Sequence, residues 1–224
     1  MTFDEVMLEL EALGKENIKK RYVGLGAREP LFGVGTGAMK PLFRKNKKDQ
    51  ALAEALYATG NYDAMYFAGM IADPQAMTGA DFDRWMEAAY FPMLSDFVVA
   101  VTLSEADCAQ DVADRWIPDG RELYRSAGWA CYEWLLGWRP DADFKREKIM
   151  SMLETAGRGV DGETDHVRSA MNNFVTAVGV SYLPLRGEAY ALAAGTSALS
   201  TAAEALRRAE GKGQLGFKRR AVRC

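Results

Sequence analysis

Apolar residues recur at three- and four-residue spacing along nearly the whole chain, and the strict alternation that marks a strand is scarcely found. That period commits the chain to helices. Phe3, Val6, Met7, Leu10 and Leu13 form one stripe, stopped by Gly14. Asp49 is placed to cap a helix over 50–59, and Thr59-Gly60-Asn61 turns the chain into a more apolar helix over 62–72. Thr78 and Asp81 spell a capping box for a helix reaching residue 89. Further helices are expected over 93–103, 105–116, 121–138, 144–156, 165–182, 185–194 and 198–210, with Gly157-Arg158-Gly159 as a break.

The pairing constrains the fold more than the number does. Helices pair as 50–59 with 62–72, 81–89 with 93–103, 105–116 with 121–138, and 144–156 with 165–182. A helix pair cannot bury both of its faces alone, so successive pairs stack. The fold class is therefore all-α, a HEAT-like helical-repeat solenoid, with a compact bundle as the alternative. A curved array of this kind offers its concave face to an extended partner. One domain over 1–210 is expected, followed by a basic, extended tail over 211–224.

With 49% hydrophobic and 26% charged residues, the chain has the composition of a folded protein, which excludes intrinsic disorder. No apolar run approaches the ~20 residues of a membrane-spanning helix, and the acidic start MTFDEVMLELEALGKE is not a signal peptide. Cys108, Cys131 and Cys224 share no close spacing, so neither a disulfide framework nor a zinc knuckle is supported. A reducing cytoplasm, no cofactor, no metal, no membrane and a monomeric state are the expectations.

The net charge of −3 conceals an asymmetry. Residues 15–48 hold ten Lys or Arg against Glu16 and Glu29, a balance of +8, and residues 207–224 hold seven against Glu210, a balance of +6. With the four acids of residues 1–14 set aside, residues 49–206 carry −13. Two basic ends around an acidic body suit either a polyanionic partner or a plain solvated surface.

Few motifs carry chemistry. The stretch YVGLGAREPLFGVGTGAMK holds Gly24, Gly26, Gly33, Gly35 and Gly37, but it fits neither the dinucleotide fingerprint nor the phosphate-binding P-loop. It is either a plain connection or a loop whose backbone approaches a phosphate. His166 is the only histidine and falls in the first turn of its helix. Trp116, Trp129, Trp134 and Trp138 stand at helical spacing, as core or with one of them facing a ligand groove. Asp96 starts a helix just after Tyr90 and Phe91, as a cap or as a functional acid. Arg125 lies in an otherwise apolar helix, where a lone cation wants a carboxylate or a phosphate, and Arg168 is placed comparably.

The segments LAEALYATGNYDAMYFAGMIADPQAMT, RWMEAAYFPMLSD and DRWIPDGRELYRSAGWACY resemble the DNA alkylation repair enzyme family. These are AlkD-like, HEAT-like-repeat proteins whose characterised members excise positively charged N3- and N7-alkylated purines. The likeness runs over residues 10 to 185. Active members open a repeat helix with Trp-Asp-x-x-Asp and carry a later arginine. Aligned from Trp85, that segment falls on Pro92-Met93-Leu94-Ser95-Asp96, so Asp96 matches the catalytic acid and Arg125 the arginine. Pro92 replaces the tryptophan that packs on the damaged nucleotide, and Met93 replaces the first acid.

The resemblance implies an N3/N7-alkylpurine DNA glycosylase acting on double-stranded, alkylated DNA. Asp96 would be the catalytic carboxylate, stabilising an oxocarbenium-like sugar. Arg125, Arg168, Lys45, Lys47, Lys48, Arg219 and Arg220 would hold the backbone, with Tyr90 and Phe91 on the nucleotide. A non-catalytic helical-repeat module binding nucleic acid or protein is the alternative, since the family's tryptophan is absent.

Overall fold

The computed structural model describes residues 1–220. All their regular structure is helical, in a HEAT-like repeat arrangement of helix pairs, and they fall into two compact units that meet in sequence at Cys108 and Ala109.

The first unit opens with α1 (Phe3–Leu13), α2 (Glu16–Gly24) and α3 (Thr36–Asn46). Neither α2 nor α3 is expected from the sequence. In α2, Tyr22 is the one buried residue, and α3 starts between two glycines and contains Pro41. Next come α4 (Gln50–Tyr57), with Asp49 accepting the Leu52 N–H as its cap, and α5 (Tyr62–Ile71), capped by Asn61. The predicted Thr78–Asp81 capping box opens α6 (Gly79–Ala88). The expected helix over 93–103 instead begins at Pro92. It runs as α7 (Pro92–Leu94), a π-type turn over Ser95–Val99, and α8 (Ala100–Ser104).

Between α4 and α6 the rings of Tyr57 and Trp85 stack 4.0 Å apart. The Tyr57 hydroxyl donates to the Trp85 carbonyl, and Glu54 accepts from the Trp85 indole N–H and from Arg84.

Asp63 holds the glycine-rich connection in place. This carboxylate is fully buried, and it accepts the backbone N–H groups of Phe32 at 2.6 Å, Gly33 at 2.9 Å and Val34 at 2.8 Å. Burial pushes its pKa above the usual carboxylate value, against the lowering by those three amides. The fold also fixes the residue at position 33. Gly33 has φ +83°, and a Cβ there would lie 2.6 Å from the Lys19 nitrogen. The amides of residues 32–34 are therefore spent on Asp63, which favours the plain connection over a phosphate cradle for this part of the loop.

The second unit comprises α9 (Ala109–Trp116), α10 (Glu122–Trp138), α11 (Arg146–Gly159), α12 (Asp165–Ser181), α13 (Arg186–Gly195) and α14 (Ser200–Gly211). The helix expected to stop before Gly157-Arg158-Gly159 runs to Gly159, where α11 ends in a 3₁₀ turn, and Leu192 packs where a Gly157 side chain would stand. The core lies along α10 and α12, where Trp129 and Tyr132 meet Phe174. Asn172 joins α12 to α14, donating to the Ala198 carbonyl and accepting the Ala202 N–H.

The tail is not a detached extended arm. Its described residues turn back onto α10 and α12. The Gly216 N–H donates to the Val180 carbonyl and the Arg219 N–H to the Gly137 carbonyl, while the Lys218 ammonium reaches the Leu136 carbonyl and Asp141. Residues 221–224, Cys224 among them, lie outside the described residues.

Asp63→Asn should cost about 2 kcal/mol in urea denaturation, because the amide NH₂ must face at least one buried backbone N–H that loses its acceptor. Amide exchange over residues 32–34 should accelerate with it. Unchanged stability and exchange would show that the three bonds do not hold the loop.

Candidate nucleic-acid interface

In the first unit several basic residues face solvent without a carboxylate, Lys15, Arg21 and Arg28 among them, and the densest group lies on and just after α3. Lys40, Arg44 and Lys45 project from this helix and Lys47 follows it. None of the four has an ion-pair partner among the described residues. Lys47 adopts φ +53°, which ends the helix and turns the chain out. Lys48 differs, since its ammonium pairs with Asp73 at 3.2 Å.

The segment aligned with the family's catalytic helix is arranged around Tyr62. Phe91 is 3% exposed, and its ring packs edge-on against Tyr62 at 5.2 Å. It faces the core, so a nucleotide cannot reach it. Sequence spacing does not reveal this, because Phe91 sits at the N-cap position with extended backbone, outside any helical stripe. Tyr90, half-buried, lies stacked beside Phe91 at 5.1 Å, with the Arg28 guanidinium 5.4 Å from its ring centre. Its hydroxyl makes long bonds to the Arg28 backbone, at 3.4 Å and 3.5 Å. Burial pushes the Tyr90 phenol up, so it stays neutral at physiological pH.

Asp96 lies within the π-type turn, 6% exposed, and accepts a 2.7 Å hydrogen bond from the Ser95 hydroxyl. It is not a helix cap, because the helix has already begun at Pro92. A π-type turn inserts one residue into the helical ladder and is often found at functional positions. Gly69 of α5 permits the close approach here, since a Cβ would lie 2.6 Å from a Val98 methyl. Phe97 follows Asp96 and is 46% exposed. Nothing in its spacing marks it out, because an exposed aromatic sits in a helical stripe like a buried one.

Arg125 and Arg168 are already engaged. Arg125 reaches Glu163 at 3.2 Å and donates to the carbonyls of Asp119 and Gly120 at 3.1 Å and 2.9 Å. Arg168 donates to the Val160 and Glu163 carbonyls and pairs with Asp165 at 2.9 Å. The carboxylate that Arg125 was expected to want is therefore Glu163, and both guanidiniums fasten the turn before α12. His166 does more than fill a first turn, its Nε2 lying 2.8 Å from the buried Ser126 hydroxyl.

Arg219 lies over the Trp134 ring, 4.2 Å from its centre, and Arg220 is exposed. Trp116 and Trp129 are core, each 2% exposed. Among the described residues, no helix is long and apolar enough to cross a membrane. No group of three His, Cys, Asp or Glu among them could hold a metal ion.

Comparison with known proteins places this geometry in a family. The profile of the DNA alkylation repair enzymes matches residues 6–207. Uncharacterized proteins of Listeria innocua and Listeria monocytogenes are 27% and 28% identical over 186 residues, 80% of either chain. A solved structure covers both chains in full, with 53% identity and a TM-score of 0.94. It is described as "a new family of proteins related to the HEAT-like repeat DNA glycosylases with affinity for branched DNA structures". With a profile match spanning nearly all of its helices, the chain belongs to the DNA alkylation repair enzyme family.

Proposed function

We propose that this protein binds branched DNA, holding backbone phosphates with the solvent-facing basic residues of its first unit. The observation that carries the reading is the set Lys40, Arg44, Lys45 and Lys47, exposed and without carboxylate partners among the described residues. Cations left in solvent are available to phosphates, and each phosphate they neutralise releases condensed counterions. The affinity for branched DNA attributed to the 53% identical structure supports the choice of target. Arg28, held over Tyr90, adds a cation beside an aromatic face in the same unit.

A second reading keeps cleavage of the N-glycosidic bond of N3- or N7-alkylpurines in double-stranded DNA. Asp96 favours it, being a carboxylate at the position matched to the family's acid. An alkylated purine already carries positive charge and leaves readily, so one anion near the sugar would contribute much of what the reaction needs. Against it stand Pro92 at the tryptophan position, Phe91 in the core, and Asp96 largely buried with Ser95 on its carboxylate. Binding is thus better supported than cleavage.

A four-way junction should bind more tightly than a duplex of the same length. Replacing Lys40, Arg44, Lys45 and Lys47 by alanine should flatten the salt dependence by up to about 0.9 log units per log unit of salt for each phosphate no longer neutralised. Equal slopes for the variant and the parent protein would refute the proposed surface.

Incubation with N7-methylated duplex should release no base above the uncatalysed rate. Release that falls on the order of 10²-fold in Asp96→Asn would establish the second reading instead.

Arg125→Ala should act first on stability, lowering it by about 1–2 kcal/mol in thermal denaturation, with junction affinity nearly unchanged. A large drop in affinity at full stability would make Arg125 a phosphate ligand.

A further inference from the structure

One groove of the second unit has no part in the reading above. It holds about 410 Å³, within the range of small-molecule sites, between the C-terminal parts of α10 and α12 and the returning tail. Glu133, Asn173, Thr176, Gln214, Phe217 and Arg219 line it. Phe217 is 63% exposed, yet its backbone is fastened on both sides. The Gly216 N–H donates to the Val180 carbonyl, Lys218 is anchored at 2.8 Å to both the Leu136 carbonyl and Asp141, and the Arg219 N–H donates to the Gly137 carbonyl at 2.7 Å. Gly216, at φ +79°, makes the turn that brings the phenyl ring to the edge of the groove. A phenyl ring fixed in solvent in this way is a flat apolar face left largely uncovered by the protein.

The neighbouring groups suggest what would cover it. Arg219, held over Trp134, has no carboxylate partner among the described residues, so its guanidinium is open to an anion. Arg220 beside it is exposed. Glu133 lining the groove opposes a phosphate inside it, and a carboxylate there could accept the N3–H of a thymine or the amino group of another base. The side-chain amides of Asn173 and Gln214 offer both donors and acceptors to a base edge.

We propose that this groove takes one unstacked base of single-stranded DNA, stacked on Phe217, with the adjoining phosphate on Arg219. The proposal rests on the DNA-binding reading and deepens it, because branched DNA that carries forks or flaps presents single-stranded bases beside its duplex arms. It places a single-strand subsite in the second unit, in addition to the basic residues of the first.

The test uses the full-length protein with two probes, a (dT)₆ oligonucleotide and a four-way junction, both read by fluorescence anisotropy. Phe217→Ala should weaken (dT)₆ binding about 5- to 150-fold, the usual effect of losing one base–aromatic stack, and Phe217→Trp should restore it. The circular dichroism spectrum should not change, since the ring is mostly in solvent. Arg219→Ala should flatten the salt slope for (dT)₆ by about 0.7. An oligonucleotide bearing one 5-iododeoxyuridine should crosslink to the tail or to α12. Wild-type protein that ignores (dT)₆, equal affinity in Phe217→Ala, or crosslinks confined to the first unit would each overturn the groove. Junction binding with (dT)₆ affinity insensitive to Phe217 would sink the groove and leave the branched-DNA reading intact. Phe217-dependent (dT)₆ binding without junction preference would sustain the groove and sink the branched-DNA reading.

Discussion

A helix pair can bury one face against its partner, but its second face stays wet until another pair covers it. That constraint organises each unit of this protein. Along α12, Phe174 meets Trp129 and Tyr132 of α10 on one side, while Asn172 ties the other side to α14 through Ala198 and Ala202. Covering both faces requires close approach, and glycine supplies it. Gly128 of α10 lies against Ile117, and Gly179 of α12 receives Leu206 where a side chain would otherwise stand. Each large side chain sealed in this way contributes about 1.5–3 kcal/mol. The layers therefore need small residues as much as large ones.

Layering also decides which charges remain available. A cation near a packed layer loses water and must find oxygen partners, and Arg125 and Arg168 do so on Glu163, Asp165 and the carbonyls around them. Cations on an outer helix keep their water and need no partner, as with Lys40, Arg44 and Lys45 on α3. Arginine in an apolar stretch therefore reads as a fastening, whereas a run of lysines on a short outer helix reads as a surface for polyanions. The same rule separates Lys48, paired with Asp73, from Lys47 next to it. Formal charge along the sequence overstates the usable positive potential of this chain by the residues so engaged.

The sequence reveals some of this and conceals the rest for physical reasons. The helix pairs from α4 onward are legible, because their apolar stripes and caps are local signals, as Asp49 and the Thr78–Asp81 box show. The two helices α2 and α3 are not, because Pro41 and the surrounding glycines carry a strong breaker signal that tertiary packing of Met39 and Leu42 overrides. The π-type turn is invisible, since Ser95–Val99 keeps the stripe of an ordinary helix. Asp63 is unreadable as an anchor because its acceptor role depends on amides about thirty residues away. The tail looks free in the sequence for the same reason, as its anchors at Leu136, Gly137 and Asp141 lie some eighty residues upstream. At the candidate site, likeness to a motif finds Asp96 and Arg125, but their surroundings come only from the fold.

Binding and bond cleavage ask different things of the same scaffold. Phosphate contacts tolerate motion and sequence change, because any exposed cation near the backbone contributes and neighbouring lysines can substitute for one another. Cleavage requires a carboxylate held at a fixed position against the sugar, with the nucleotide pressed onto it by a rigid surface. In the segment of this chain that resembles the family's motif, Asp96 is the acid, Pro92 stands where the resemblance would put a tryptophan, and the aromatic before it lies in the core against Tyr62. A proline at the first position of a helix suits the backbone there, since it has no N–H to satisfy. It offers no broad face to a base. The helix start is thus well built as structure, while the one aromatic directly before it is spent on the core.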